Sequence, residues 1–307
     1  MDSLKKGELR SKVPPFFSNR VHTSPIATER SVLPHNSNFP GQTPSLTAGV
    51  YIVGAGPGDP ELLTIRAQRL LQQADVIVFA DSLVPKQAID LARSDAERIP
   101  TSTLTLEEIL PLMIERVRAG QSVVRLHSGD PSLYSAIHEQ MQALADAEIP
   151  FEVIPGISAF QAAAARLQVE LTIPELVQII ILTRISGRTQ VPESEALATL
   201  AAHQASLCLY LSARHVAAAQ TALQVHYPAD TPVALCFRLG WPDEKIRIVS
   251  LADMAAATAE EKLVRTTLYV ISPALKAAAA RSRLYHPDHT HLFRPRLHSG
   301  RRSGIEN

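Results

Sequence analysis

Only two cysteines, Cys208 and Cys236, occur in the 307 residues. That scarcity argues against a disulfide framework or a thiolate metal cage. Each lies in an apolar run, SLCLYL and VALCFRL, where a small buried thiol is the simplest reading and a reducing cytoplasm the expected setting. No apolar run approaches the roughly 18 residues of a membrane-spanning helix. The N-terminus, MDSLKKGELRSKVPPFFSNR, lacks the apolar centre of a secretory signal. A soluble, cytoplasmic protein is expected. Excess charge is missing too: Lys+Arg and Asp+Glu stand at 30 each, so no global basic field recruits nucleic acid. The balance hides an asymmetry. Residues 1–48 carry six basic and three acidic residues and residues 276–307 seven and two, leaving 17 basic against 25 acidic between them. Also absent are HExxH, paired CxxC, P-loop and GxSxG motifs and any close Cys/His pair, which weakens hydrolytic and metal chemistry.

What is present is 46% hydrophobic and 20% charged, a globular composition, in a chain long enough for one large or two modest domains. Residues 1–48 mix Pro, Ser, Asn, Thr and His without a period and read as a disordered arm; residues 276–307 read as a basic flexible tail. Its His286, His289 and His291 lack a fixed second shell, so adventitious rather than functional metal binding is expected, and no metal site is assigned. Between the tails, GVYIVGAG, DVIVFAD, SVVRLHSGD and FEVIPG alternate with the helical stretches PELLTIRAQRLLQQA, a segment near 85–95, TLEEILPLMIERVRAG and PSLYSAIHEQMQALADA. Short β-branched runs separated by helices predict a mostly parallel α/β domain over 49–166. A linker over 167–176, containing Pro174, then leads to a second α/β domain over 177–275. Its strands VQIIILTR, SLCLYLS, PVALCFRLG, KIRIVS and TTLYVISP, with helices near 194–204, 212–224 and 251–261, predict a mixed sheet. The active site is expected in a cleft between the two domains.

Three strand-to-helix junctions stand out. Gly54-Ala55-Gly56-Pro57-Gly58-Asp59-Pro60 has three glycines and two prolines, more than a simple turn requires, with Asp59 as N-cap and Pro60 in the first helical turn. A dinucleotide fingerprint would put its third glycine where Asp59 stands, and an aspartate there repels pyrophosphate. Ser128-Gly129-Asp130-Pro131-Ser132-Leu133-Tyr134 again places an aspartate to cap the next helix, and Pro155-Gly156-Ile157-Ser158-Ala159 is the third junction. On a parallel sheet all three fall at the carboxyl ends of the strands, where open α/β sheets bind ligands. Asp81, ending DVIVFAD, is either an acid or base on that rim or the N-cap of the helix after Pro85.

Together, VYIVGAGPGDPELLTIRAQRLLQQADVIVFADSLV, SGDPSLYSA and PGISA resemble the tetrapyrrole methylases, which use S-adenosylmethionine to methylate ring carbons in corrin and sirohaem synthesis; the resemblance spans about 49–275. LTIPELVQIIILTRISGRTQVPESE, FADSLV and VALCFRLGWPDEKI resemble the branch methylating carbon 11 of precorrin-4 or cobalt-precorrin-4 in cobalamin synthesis. The resemblance implies a homodimer with a tetrapyrrole substrate and S-adenosylmethionine as methyl donor. It places Gly56 beside the substrate and Pro57 beside the cofactor, whose further contacts are Ser128, Gly129, Asp130, Leu133, Tyr134, Ser158 and Ala159. In the second domain it points to Leu211, to Ala234 through Arg238, and to Thr266 and Thr267, and it gives Asp81 a part in proton handling. Some relatives carry a lysine where this chain has Ile99-Pro100-Thr101-Ser102, so no catalytic lysine carries over. The carboxylates of such a substrate call for arginine forks, for which Arg184, Arg188, Arg214 (with His215) and Arg238 are the candidates. Alternatives are a methylase for another corrin carbon or for uroporphyrinogen, a non-catalytic tetrapyrrole carrier and a dinucleotide oxidoreductase.

Overall fold

The computed structural model describes residues 46–187 and 189–276. The expected arm up to residue 45, Arg188, and the tail from 277 with its histidines lie outside them. The described chain forms two compact units, one of residues 46–162 plus Arg238–Asp243, the other of Ala163–Phe237 plus residues 244–276. No helix among the described residues is long and apolar enough to cross a membrane.

The first unit runs β1 (Gly49–Gly54), α1 (Ile65–Gln73), β2 (Val76–Phe79), α2 (Lys86–Ile89), β3 (Glu97–Pro100), α3 (Leu106–Arg118), β4 (Ser122–His127), α4 (Ile137–Asp146) and β5 (Phe151–Ile154). All five strands are parallel, in the order β3-β2-β4-β1-β5. The near-continuous apolar runs of the central strands β1, β2 and β4 follow from burial on both faces. Tyr51, Val53, Ile77, Val124 and Leu126 pack on one side with Leu70 and Leu71 of α1. Val50, Ile52, Val76, Val78 and Val123 pack on the other with Ile109, Met113 and Val117 of α3 and Leu144 of α4. At the amino ends of the strands, Asp75 accepts hydrogen bonds from the Ser122 N–H (2.8 Å) and hydroxyl (2.7 Å) and pairs with Arg93 at 3.0 Å, pinning β2 to β4.

Two predicted helices start later than their sequence pattern implies. After the glycine-rich loop Asp59 does cap, accepting from Glu61 N at 2.9 Å, but it caps only a 3-10 turn over Pro60–Leu62. Thr64 then turns extended and caps α1 through Ala67 N, 3.1 Å away. Likewise Asp130 caps no α-helix: Tyr134 and Ala136 adopt left-handed conformations (φ 55° and 50°) and break the predicted PSLYSAIHEQ helix, so α4 begins at Ile137.

From α5 (Ala159–Leu167) the chain enters the second unit: β6 (Ile180–Arg184), α6 (Leu197–Ala201), β7 (Ser206–Tyr210), α7 (Val216–Leu223), β8 (Pro232–Phe237), β9 (Lys245–Ser250), α8 (Met254–Glu260) and β10 (Thr267–Ile271). The sheet is mixed, as expected, in the order β6-β7-β10-β8-β9, with only β6 and β7 parallel. Leu207, Leu209, Val233, Leu235, Tyr269 and Ile271 form its core with α6, α7 and α8. Cys208 and Cys236 are buried free thiols whose desolvation pushes both up to about 12, so neither is a thiolate at neutral pH.

Candidate functional site

Because the first sheet is wholly parallel, the loops after β1, β2, β3, β4 and β5 leave from one edge. The three corners singled out in the sequence are tied together there by backbone. Gly56 N donates to Gly129 O (3.2 Å), Gly129 N to Gly56 O (2.7 Å) and Ala55 N to His127 O (2.7 Å). The Asp130 carboxylate joins the third corner: Oδ2 accepts from Gly156 N at 2.9 Å while Oδ1 accepts from Ser132 N at 2.8 Å and from the Ser132 hydroxyl. Glycine is required where these backbones touch, since a Cβ on Gly54 would stand 2.6 Å from Gly156 Cα and 2.7 Å from Gly129 O. Gly129 differs: φ is +69°, and an added Cβ would meet nothing nearer than Ser158 Cα at 3.9 Å. The stitched corners are thus closed behind Gly54, whereas the space beside Gly129 is free of close neighbours. Ala159 begins α5, whose first turn is held by Ser158 N donating to Gln161 Oε1 at 2.8 Å.

Asp81 lies exposed in the loop after β2. The N-cap alternative is overturned: α2 is preceded by Pro85 with no side-chain cap, and both oxygens of Asp81 turn instead to the loop after β3. Oδ1 accepts from Ser102 N at 2.9 Å and Oδ2 from the Ser102 hydroxyl at 2.8 Å. These donors hold the Asp81 carboxyl below the usual carboxylate range, so it is an anion throughout the neutral range.

The segment that follows the sequence candidate Arg238 completes this unit's edge through residues to which the sequence assigns no role. The segment Arg238–Asp243 sits on the glycine-rich loop, with the Trp241 indole N–H donating to Pro57 O at 3.2 Å. Arg238 lies over that ring, 4.0 Å from its centroid, and pairs with Asp243 at 2.7 Å, so its guanidinium is engaged inside a clasp. A Cβ on Gly240 would press on Asp59, and one on Gly58 would strike Leu239 O and Trp241, so neither position admits a side chain. Beneath the rim, Arg125 and His127 are buried at 7% exposure each.

In the second unit, antiparallel pairing brings the start of β10 beside the ends of β7 and β8, with Thr267 opposite Phe237 and Tyr269 opposite Leu209. Leu211 and Thr266 therefore share one edge. Both are exposed and left-handed, at φ 52° and 55°, and strain of this kind in non-glycine residues gathers at binding sites. Thr267 is buried, and Ala234 is wholly buried within β8. Arg184 ends β6 opposite Tyr210 and donates to the Thr189 carbonyl. Its loop is tied to the turn after β7 by Ile185 N donating to Ser212 Oγ at 3.2 Å, and a Cβ on Gly187 would lie 3.2 Å from His215 Nε2. That contact sets Arg214 and His215, both exposed, on the loop neighbouring Arg184.

Residues 49–255 match the model of the tetrapyrrole (corrin/porphyrin) methylases, and the chain belongs to that family. Among its relatives is a precorrin-4 C(11)-methyltransferase of Pseudomonas aeruginosa, 44% identical over 247 residues that cover 80% of this chain and 98% of that one. A solved cobalt precorrin-4 methyltransferase superposes with a TM-score of 0.72 at 41% identity, covering 74% of this chain and 95% of its own. A uroporphyrin-III C-methyltransferase of Thermus thermophilus, solved with S-adenosyl homocysteine, matches at 27% identity and a TM-score of 0.64 over 74% of this chain and 99% of that one.

Proposed function

We propose that this protein methylates carbon 11 of precorrin-4 or cobalt-precorrin-4 in cobalamin biosynthesis, using S-adenosylmethionine, as a cytoplasmic homodimer. The stitched edge of the first unit carries the reading. Its face at Gly129, where an added Cβ would meet nothing nearer than 3.9 Å, backed by the close-packed Gly54 and Gly156, fits a nucleoside with an amino-acid tail. The dinucleotide reading finds less support, since a 3-10 turn stands where pyrophosphate would need a helix N-terminus. In this proposal Pro57, Ser128, Gly129, Leu133, Tyr134, Ser158 and Ala159 hold the donor from the first unit. Asp130 contributes by holding the second and third corners together.

When bound, S-adenosylmethionine supplies a methyl group already activated on sulfur. The protein's work is then placement: bringing acceptor carbon and methyl into line at about 3–3.5 Å contributes on the order of 7–11 kcal/mol. Corners tied by Gly56, Gly129, Asp130 and Gly156 suit this because backbone hydrogen bonds already fix them relative to one another. Methylation of an electron-rich ring carbon leaves positive charge on the macrocycle, discharged by losing a proton. The anionic Asp81 carboxylate stabilises that charge and accepts the proton at an oxygen. Arg184, Arg188 and Arg214 are the candidates for pairing with substrate carboxylates, whereas Arg238, already held by Asp243 and Trp241, braces the glycine-rich loop.

The assignment is tested by incubating the purified protein with precorrin-4 or cobalt-precorrin-4 and donor labelled with carbon-13 in its methyl group. A single labelled methyl on carbon 11 is expected. Label on another carbon, transfer only to uroporphyrinogen, or bound but unmethylated tetrapyrrole would overturn it. Asp81→Asn is expected to leave S-adenosylhomocysteine affinity within about twofold by calorimetry and slow single-turnover methylation by at least about tenfold. Equal losses in both would make Asp81 structural.

A further inference from the structure

Asp81 is exposed, and an exposed carboxylate ordinarily shares its oxygens with water rather than spending side-chain freedom on one orientation. Here one residue on the next strand's loop meets both oxygens, Ser102 through its N–H at 2.9 Å and its hydroxyl at 2.8 Å. The Ser102 side is itself held. Its neighbour Thr101 is buried, donating to Phe79 O from both N–H (2.9 Å) and hydroxyl (3.1 Å), which locks the ends of β2 and β3 together. Buried Arg125 donates from Nη1 to Thr101 Oγ1 at 3.2 Å and from Nε to Gln140 Oε1 at 3.4 Å, and among the described residues no carboxylate pairs with it. Gln140 in turn donates to Ala136 O at 3.1 Å, in the loop that carries Leu133 and Tyr134. A continuous polar path thus runs from the loop after β4 through Gln140, Arg125 and Thr101 to the residue gripping Asp81.

We propose that Ser102 is a positioning residue for methyl transfer: its paired donors, backed by the Thr101–Arg125 brace, fix the Asp81 carboxylate in the orientation that receives the substrate's charge and proton. The inference rests on the reading of Asp81 above and adds a residue that acts only through it. A freely rotating carboxylate would spend most of its time misdirected, and the cost falls on the rate of the chemical step rather than on loading of either ligand.

The test measures single-turnover methylation of precorrin-4 and calorimetric affinity for S-adenosylhomocysteine in Ser102→Ala, Ser102→Thr, Asp81→Asn and the double variant Asp81→Asn/Ser102→Ala, all checked for wild-type thermal midpoints. Ser102→Ala is expected to slow transfer roughly tenfold, as loss of one charge-assisted donor would, with cofactor affinity and substrate KM unchanged within about twofold. Ser102→Thr, which keeps the hydroxyl, is expected to recover at least about half of the rate, and the double variant to be no slower than Asp81→Asn alone. A wild-type rate in Ser102→Ala beside a slow Asp81→Asn overturns the positioning role and leaves the Asp81 reading standing. So does a double variant slowed by the product of the single effects, or a Ser102→Ala loss matched in cofactor affinity. A wild-type rate in Asp81→Asn instead removes the Asp81 reading, and this inference with it.

Discussion

Gly156→Ala is expected to lower stability by about 3 kcal/mol or more and to abolish S-adenosylhomocysteine binding. The new methyl would stand 2.9 Å from Gly54 Cα and 3.1 Å from Gly54 C, and would press on the Gly129 carbonyl oxygen. None of these atoms is the end of a side chain that can swing away. All are backbone, and Gly129 is itself hydrogen-bonded to Gly56 in both directions. Relief requires the third corner to back off, which breaks the Gly156 N–H bond to Asp130 and separates the loops after β4 and β5. Insertion of a methylene into packed surroundings typically costs about 1–3 kcal/mol, and the absence of any yielding neighbour puts this site at or above the top of that range. Against a total of about 5–15 kcal/mol for a folded domain, this is a large share. Gly129→Ala separates fold from binding. Its methyl meets nothing nearer than 3.9 Å, so only the left-handed backbone, about 1–2 kcal/mol, counts against stability while the open face is filled. Urea unfolding and calorimetry check both variants. A Gly156→Ala protein with wild-type stability and affinity would mean that the three corners do not touch.

The strands that were legible in the sequence, β1, β2, β4 and β5 of the first unit and β6 to β10 of the second, are those whose short apolar runs the pattern catches. β3 escaped: ERIP holds one apolar residue that is not proline, because it is an edge strand with Glu97, Arg98 and Pro100 exposed, and its place comes from pairing with β2. The chemistry divides in the same way. Glycine and aspartate at Gly54–Asp59, Gly129–Asp130 and Gly156 announce backbone corners locally, because turn geometry is a local demand. What those aspartates bond to is a matter of topology. Asp130 reads as a helix cap, yet one of its oxygens crosses 26 residues to Gly156, and Asp81 reads equally well as a cap while reaching 21 residues to Ser102. The Trp241 contact with Pro57 spans 184 residues and leaves no trace beyond a glycine beside an aromatic. Helix starts were misread for a related reason. PELLTIRAQ and PSLYSAIHEQ both have helical propensity, and it took Thr64's extended backbone and the left-handed Tyr134 and Ala136 to delay α1 and α4.

His127 makes the edge sensitive to acid, and replacing it by leucine is expected to remove that sensitivity. The side chain is buried at the end of β4, and Nε2 has no hydrogen-bond partner among the described residues. Desolvation, reinforced by the nearby Arg125 charge, lowers the imidazole from 6.5 to about 3. Between those values the unfolded chain binds a proton that the native state refuses. Stability contributed by the neutral, buried ring is therefore complete above about pH 6.5 and lost as pH falls toward 3, at about 1.4 kcal/mol per pH unit. By pH 4 the native protein should have lost about 3 kcal/mol more than His127→Leu, whose side chain has nothing to protonate. Asp75 and Asp81 do not blur the comparison. Partial burial raises the Asp75 carboxyl, but the Ser122 donors and Arg93 outweigh it, and the Ser102 donors lower Asp81. Both groups contribute stability that is lost only below the ordinary carboxylate range, and both are common to the two proteins. Urea midpoints measured from pH 8 to pH 4 should run parallel down to about 6.5 and then part from parallel, with the native protein falling faster. Curves parallel over the whole range would show that the folded protein protonates His127 freely. Because the His127 carbonyl accepts from Ala55 N at 2.7 Å and the next three residues are Ser128, Gly129 and Asp130, the strand end that protonation would expel is the one holding the first two corners together.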